Sequence, residues 1–120
     1  RNNGTAAKNG RRSGLSFLQA NVAKKPGAHD TLLNLGWERA ADIILVQEPW
    51  TAVKEGRRLT KTHGGYQHYT PVEEWMAGPP RTMVYVRKPR GGTQRIIGRE
   101  GHRDICAVEV CGTVWVSLYR

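Results

Sequence analysis

Four consecutive apolar residues, Ile43-Ile44-Leu45-Val46, followed at once by Gln47-Glu48-Pro49-Trp50, restrict this chain more than any other stretch. An uninterrupted apolar run with two β-branched isoleucines suits a strand covered on both faces, which demands a layer of structure on each side of its sheet. Pro49 cannot donate to a strand ladder and so closes the run. The strand therefore delivers a carboxylate, Glu48, to the rim of an apolar layer. An ionised group there needs a cation or hydrogen-bond donors to offset its lost hydration, although a single acidic residue after a strand is equally well served by solvent.

The flanking sequence supplies the rest of a strand-helix-strand unit. Residues 15–21, Leu-Ser-Phe-Leu-Gln-Ala-Asn, read as a first strand, broken by Lys24-Lys25-Pro26-Gly27. Over residues 28–41 the apolar positions Leu32, Leu33, Leu35, Trp37 and Ala40 recur at intervals of three and four, which predicts an amphipathic helix with Trp37 in the core. A right-handed crossover through such a helix makes the two strands parallel. Asn21 and Glu48 then emerge at one edge, beyond the carboxyl ends of the strands, where ligands of such sheets bind.

Downstream, residues 51–65 carry Lys54, Arg57, Arg58, Lys61 and His63 ahead of Gly64-Gly65 and read as a basic surface loop. Short strands are expected over residues 66–70 and 82–87, and a hairpin about Cys111-Gly112 over residues 105–110 and 113–119. In its second strand Val114, Val116 and Leu118 share one face, and Trp115, Ser117 and Tyr119 the other.

Charge indicates the class of partner. With 19 lysines and arginines against 10 acidic residues, the chain carries +9, which favours a polyanion. Residues 1–13 have four cations and no apolar periodicity, and are expected to be a flexible basic arm ahead of a domain over residues 14–120. No apolar run approaches the roughly 20 residues of a membrane span, and no signal-peptide core is present, so an intracellular protein without a membrane partner is expected. Cys106 and Cys111 have neither the number nor the spacing of a disulfide framework, and with His102 they match no zinc signature. The first residue is not methionine and the last follows a strand pattern, so a piece of a longer product is expected.

Leu18-Gln19-Ala20-Asn21 and, some 25 residues on, Val46-Gln47-Glu48-Pro49-Trp50 resemble the first two motifs of the endonuclease/exonuclease/phosphatase superfamily. The stretch between them, from Ala28-His29-Asp30 to Trp37-Glu38-Arg39-Ala40-Ala41-Asp42, is similar to the apurinic-type endonuclease domain of fungal LINE-like (non-LTR) retrotransposons. So are residues 66–71, the Arg81-Thr82-Met83-Val84-Tyr85-Val86-Arg87-Lys88 segment, and the closing Val116-Ser117-Leu118-Tyr119-Arg120, so that the resemblance runs from about residue 15 to the end. It implies an α/β fold of the DNase I-like kind, a two-sheet sandwich with helices outside, of which this chain is the N-terminal part. It further implies that Glu48 ligates Mg²⁺ or Mn²⁺, that Asn21 orients the cation or the phosphate, and that Tyr119 hydrogen-bonds the phosphate or its transition state. The implied activity is nicking of DNA, in the nucleus, ahead of a reverse transcriptase region of the same polyprotein. The physical chemistry agrees, since hard cations prefer carboxylate oxygen and phosphodiester cleavage needs charge stabilisation and an activated water.

The family's later Asp-x-Asn and Asp-His motifs have no counterpart before Arg120, so an incomplete and inactive fragment is expected. Lys24, Lys25, Arg57, Arg58 and Lys61 are the expected nucleic-acid contacts, and Trp50 and Trp75 are loop tryptophans able either to stack on bases or to pack beneath their loops. Two other classes remain open: a basic nucleic-acid-binding module without catalysis, and a phosphoesterase of the same superfamily acting on a nucleotide, lipid or inositol phosphate.

Overall fold

The computed structural model describes residues 7–71, 78–88, 94–97 and 103–119. In chain order these form β1 (Lys8–Arg12), β2 (Leu15–Asn21), α1 (Pro26–Glu38), β3 (Ile43–Gln47), β4 (Thr51–Lys54), β5 (Arg57–Thr60), β6 (Tyr66–Tyr69), β7 (Thr82–Arg87), β8 (Gln94–Ile97), β9 (Ile105–Val110) and β10 (Thr113–Leu118). A five-stranded mixed sheet has the order β1-β2-β3-β7-β6, a three-stranded antiparallel sheet the order β10-β9-β8, and β4 and β5 make a separate ribbon. The chain is thus an α/β protein, as its strand-helix-strand pattern requires.

The apolar run of β3 is buried at every position, and alternation divides it between two cores. Ile44 and Val46 join Leu18, Leu32, Leu33, Met83 and Tyr85 beneath α1. Ile43 and Leu45 face the second sheet, with Val84, Val86, Val108, Val110 and Trp115. Each fully buried side chain of this size contributes roughly 1.5–3 kcal/mol relative to exposure. The layers are therefore helix, sheet and sheet, with β3 in the middle. β2 and β3 pair in parallel, Asn21 lying opposite Gln47, as the strand-helix-strand pattern leads one to expect.

The helix occupies residues three short of the expected end. Pro26 begins it, where a missing N–H costs nothing and φ is already helical. It stops after Glu38 because Ala40 turns left-handed (φ 55°), and the amides of Ala40 and Ala41 close back on the carbonyls of Trp37 and Gly36. Trp37, expected in the core, is 42% exposed on the rim of the helix, with the Arg87 guanidinium 4.3 Å above its ring.

Two further expectations are corrected. Lys8–Arg12 are not a flexible arm: they pair antiparallel with β2 as an edge strand, Lys8 opposite Gln19 and Arg12 opposite Leu15. Residues 51–60 are not a loop but the β4–β5 ribbon, joined by Glu55-Gly56. The 113–118 strand lies in the second sheet, apart from β2 and β3. Its face assignment does hold, since Trp115 and Ser117 point inward and Val114, Val116 and Leu118 are exposed. The hairpin about Cys111-Gly112 forms as expected, with both residues at positive φ. Trp75 and His102 lie outside the described residues. Among those described, no helix is long and apolar enough to cross a membrane.

Gly36 marks the closest approach of α1 to the sheet, because a Cβ there would overlap Ile44 Cδ1 of the fully buried β3. Gly36→Val is expected to lower stability by about 2 kcal/mol through overpacking, far more than its small effect on helix propensity. Urea denaturation checks this, and unchanged stability would show the helix free to lift from the sheet.

Candidate active site

The chain reverses its backbone geometry where β2 and β3 end. Glu48 takes a left-handed conformation (φ 51°), as do Ala23 (φ 53°) and Lys24 (φ 60°) in the neighbouring exit loop. Main-chain bonds extend the parallel pairing past the strands: Val22 N donates to Gln47 O at 2.9 Å and Lys24 N to Glu48 O at 2.8 Å. On the other side Glu48 N donates to Arg81 O at 2.9 Å. Strained left-handed residues persist where their surroundings over-determine them, and they cluster at functional sites.

These constraints bring Asn21 and Glu48 together. The Asn21 amide nitrogen donates to Glu48 Oε2 at 3.1 Å, and its carbonyl oxygen accepts from Ala23 N at 2.8 Å. Both side chains are partly exposed. Lys24 and Lys25 are exposed in the β2 exit loop, which the Lys24 N to Glu48 O bond holds against the end of β3.

Tyr119 reaches this edge from the second sheet, through Arg81 rather than directly. Arg81 makes a paired contact with Asp104, Nε to Oδ1 at 2.7 Å and Nη2 to Oδ2 at 3.2 Å, and its guanidinium stacks 4.7 Å from the Tyr119 ring centre. Tyr119 N donates to Asp104 O at 2.8 Å. Below them Gln47 Nε2 donates to Ser117 Oγ at 2.9 Å, and the hydroxyls of Thr82 and Ser117 bond to each other and to the Val46 carbonyl. This buried polar cluster ties the end of β10 to the end of β3.

The opposite flank is held by His29, a fully buried residue of α1. Trp50 N donates to His29 Nδ1 at 3.1 Å, which leaves the proton of the neutral ring on Nε2, 2.9 Å from Tyr85 Oη. Tyr85 in turn donates to Lys61 O at 2.5 Å. Burial pushes the imidazole pKa down to about 4, against the smaller opposing pull of Asp30, and raises that of the Tyr85 phenol. The relay thus fixes Trp50, two residues past Glu48, and the main chain at Lys61. Lys61, an expected nucleic-acid contact, has partners within the chain: its ammonium pairs with Asp30 at 3.0 Å and lies 4.9 Å from the Trp50 ring centre. Arg57 and Arg58 are exposed on the ribbon.

His29, Arg81 and Asp104 were not expected here. Arg81 immediately precedes β7, whose antiparallel pairing with β3 places it beside Glu48, and no local pattern specifies that pairing. His29 could be found only as a polar residue on the inward face of the helix. Among the described residues no three histidines, cysteines or acids cluster as metal ligands, and Cys106, whose thiol burial pushes up to about 12, packs as a small apolar group. Comparison with protein-family models, with curated proteins and with solved structures gives no significant match.

The His29 relay generates a pH dependence with a definite sign. The unfolded chain takes up a proton near pH 6.5, whereas the folded chain resists it until about pH 4, so stability is retained above 6.5 and falls as pH drops through that window. The loss is expected to be on the order of 3 kcal/mol, and it should flatten in His29→Gln. Urea titrations between pH 7 and 4 read it directly; equal slopes in the two proteins would remove His29 as the cause.

Proposed function

We propose that this chain is the N-terminal part of a metal-dependent phosphodiesterase domain of the endonuclease/exonuclease/phosphatase kind, one that nicks DNA within a LINE-like retrotransposon polyprotein. The observation that carries this reading is the Asn21–Glu48 contact at the shared carboxyl edge of two parallel strands. It is supported by the approach of Tyr119 to that edge through Arg81, by the lysines beside it, and by a helix-sheet-sheet layering compatible with a two-sheet sandwich.

The donor set fits a hard divalent cation held largely by water. Glu48 offers one carboxylate whose Oε2 already accepts from Asn21, and Asn21 uses its own oxygen on Ala23 N. Magnesium commonly binds in this manner, keeping several waters when few carboxylates are present. When bound, such a cation neutralises charge on the phosphate and lowers the pKa of a coordinated water. The residues of this chain do the positioning. Asn21 orients the Glu48 carboxylate, Arg81 and Tyr119 line the side from which a phosphodiester oxygen would approach, and Lys24 and Lys25 draw the strand toward the edge. A second reading, a basic module that binds DNA without cleaving it, is favoured by the single carboxylate in this donor set.

Mn²⁺ titration followed by NMR tests the site. Paramagnetic broadening is expected to centre on the amides of residues 21–24 and 48 and to be lost in Glu48→Ala. Broadening elsewhere, or unaffected by that substitution, would remove Glu48 as a ligand. Plasmid nicking by the 120-residue chain is expected to equal that of Glu48→Ala, because a missing general base and missing charge-stabilising groups each typically cost about 10²-fold or more. Nicking above that control would show the chain catalytically sufficient.

A further inference from the structure

The β4–β5 ribbon carries a feature that its fold does not require. Glu55 and Gly56, at φ 53° and 75°, form a two-residue turn of the type I′ kind, whose twist matches the flanking strands and fixes the register. That register sets Lys54 directly opposite Arg57, and Val53 opposite Arg58. Residues paired across two antiparallel strands share a face with Cβ atoms about 5 Å apart, so Lys54 and Arg57 project side by side.

Two like charges in this arrangement destabilise a hairpin. Both residues are exposed, and neither forms an ion pair among the described residues. Lys61 and Arg81, by contrast, are paired with Asp30 and Asp104. The carboxylate of Glu55 stands next to the pair, in a shallow recess formed with Leu59, but it is not bonded to either cation. The tip therefore holds a repulsive pair in the free chain, and an anion seated between the two would reverse its sign.

We propose that Lys54 and Arg57 form a clamp for a single backbone phosphate of duplex DNA. The inference rests on the proposed DNA-directed function and adds a site to it. An arginine fork meets two non-bridging oxygens while a lysine adds a mobile point charge, so the pair suits one phosphodiester better than two separate ones. β4 begins three residues after Glu48, and its four residues carry the tip on the order of 10 Å from the start of the ribbon.

Two measurements on the 120-residue chain test this, with Lys54→Gln, Arg57→Gln and the double variant. The first is thermal melting without DNA, where relief of the repulsion is expected to raise Tm by about 1–4 °C in either single variant. A purely structural role would lower it and overturn the clamp. The second is fluorescence anisotropy with a short duplex across a salt series. Each single variant is expected to weaken binding several-fold with little change in the slope of log K against log salt, since one cation still neutralises the phosphate. The double variant is expected to lose about 0.9 of slope, the value for one phosphate. A loss of about 0.9 in each single variant and 1.8 in the double would show two separate phosphates and overturn the clamp. An unchanged slope in the double variant would also overturn it while leaving DNA binding intact. No duplex binding by the unsubstituted chain would overturn the DNA reading itself, and the clamp with it.

Discussion

The burial of β3 on both of its faces is the constraint on which the rest of the structure depends. A strand with apolar side chains at Ile43, Ile44, Leu45 and Val46 must be covered twice, and α1 and the β8–β9–β10 sheet are the two covers. Covering it leaves no lateral freedom: β2 and β7 occupy both hydrogen-bonding edges, one parallel and one antiparallel. Polarity is possible only where the strand ends. Glu48 is therefore placed by packing against a rigid interior, close-packed as such interiors are, and not by a loop that happens to carry it.

The two covers also carry polar groups, and these meet the end of β3 from opposite sides. From the helix side comes His29, joined to Trp50 and through Tyr85 to Lys61. From the second sheet comes Ser117, joined to Gln47 and Thr82. A buried polar group without partners costs free energy, but a network with every member bonded specifies one arrangement. His29 illustrates the distinction, since both ring nitrogens are used and the tautomer is thereby determined. Each cover thus registers itself against the edge on which Asn21 and Glu48 sit. Removing either network would leave the apolar layers in place while loosening the edge.

What could be read in the sequence follows from which forces act locally. β2, α1, β3 and the 105–118 hairpin have apolar periodicity or turn chemistry within a few residues, and their pairing is forced by the short crossover and by the two-residue turn. From these alone Asn21 and Glu48 were brought to one edge. β1 has no such signature: its Lys8, Arg11 and Arg12 suit the solvated edge of a sheet, and edge strands carry such charges to discourage further pairing. The β4–β5 ribbon was hidden because its cations mask the alternation and its turn, Glu55-Gly56, lacks the usual asparagine or aspartate. Trp37 lies on the rim among partners distant in sequence, Arg87 over its ring and His63 and Tyr66 beside it. The place of β10 and the approach of Arg81 to Glu48 depend on sheet assembly across tens of residues, which no local pattern records.

The electrostatics of the edge explain why the strained backbone there is useful. A left-handed conformation at a residue other than glycine costs roughly 1–2 kcal/mol, and Ala23, Lys24 and Glu48 all adopt it. The cost is offset by the main-chain bonds that continue the β2–β3 pairing beyond its last strand residues. In return the turn brings Lys24 and Lys25 alongside Glu48 without an ion pair forming to it among the described residues. Glu48 is bonded instead to the neutral amide of Asn21. A carboxylate bridged to lysine would have its charge already spent, and a cation would have to displace that partner to bind. An amide holds the same oxygen in place while leaving the charge intact, so negative charge at Glu48 and positive charge at the lysines stand unpaired with each other on the adjacent exits of β3 and β2. The parallel pairing of β2 and β3, and not nearness in sequence, is what brings the two charges to one edge.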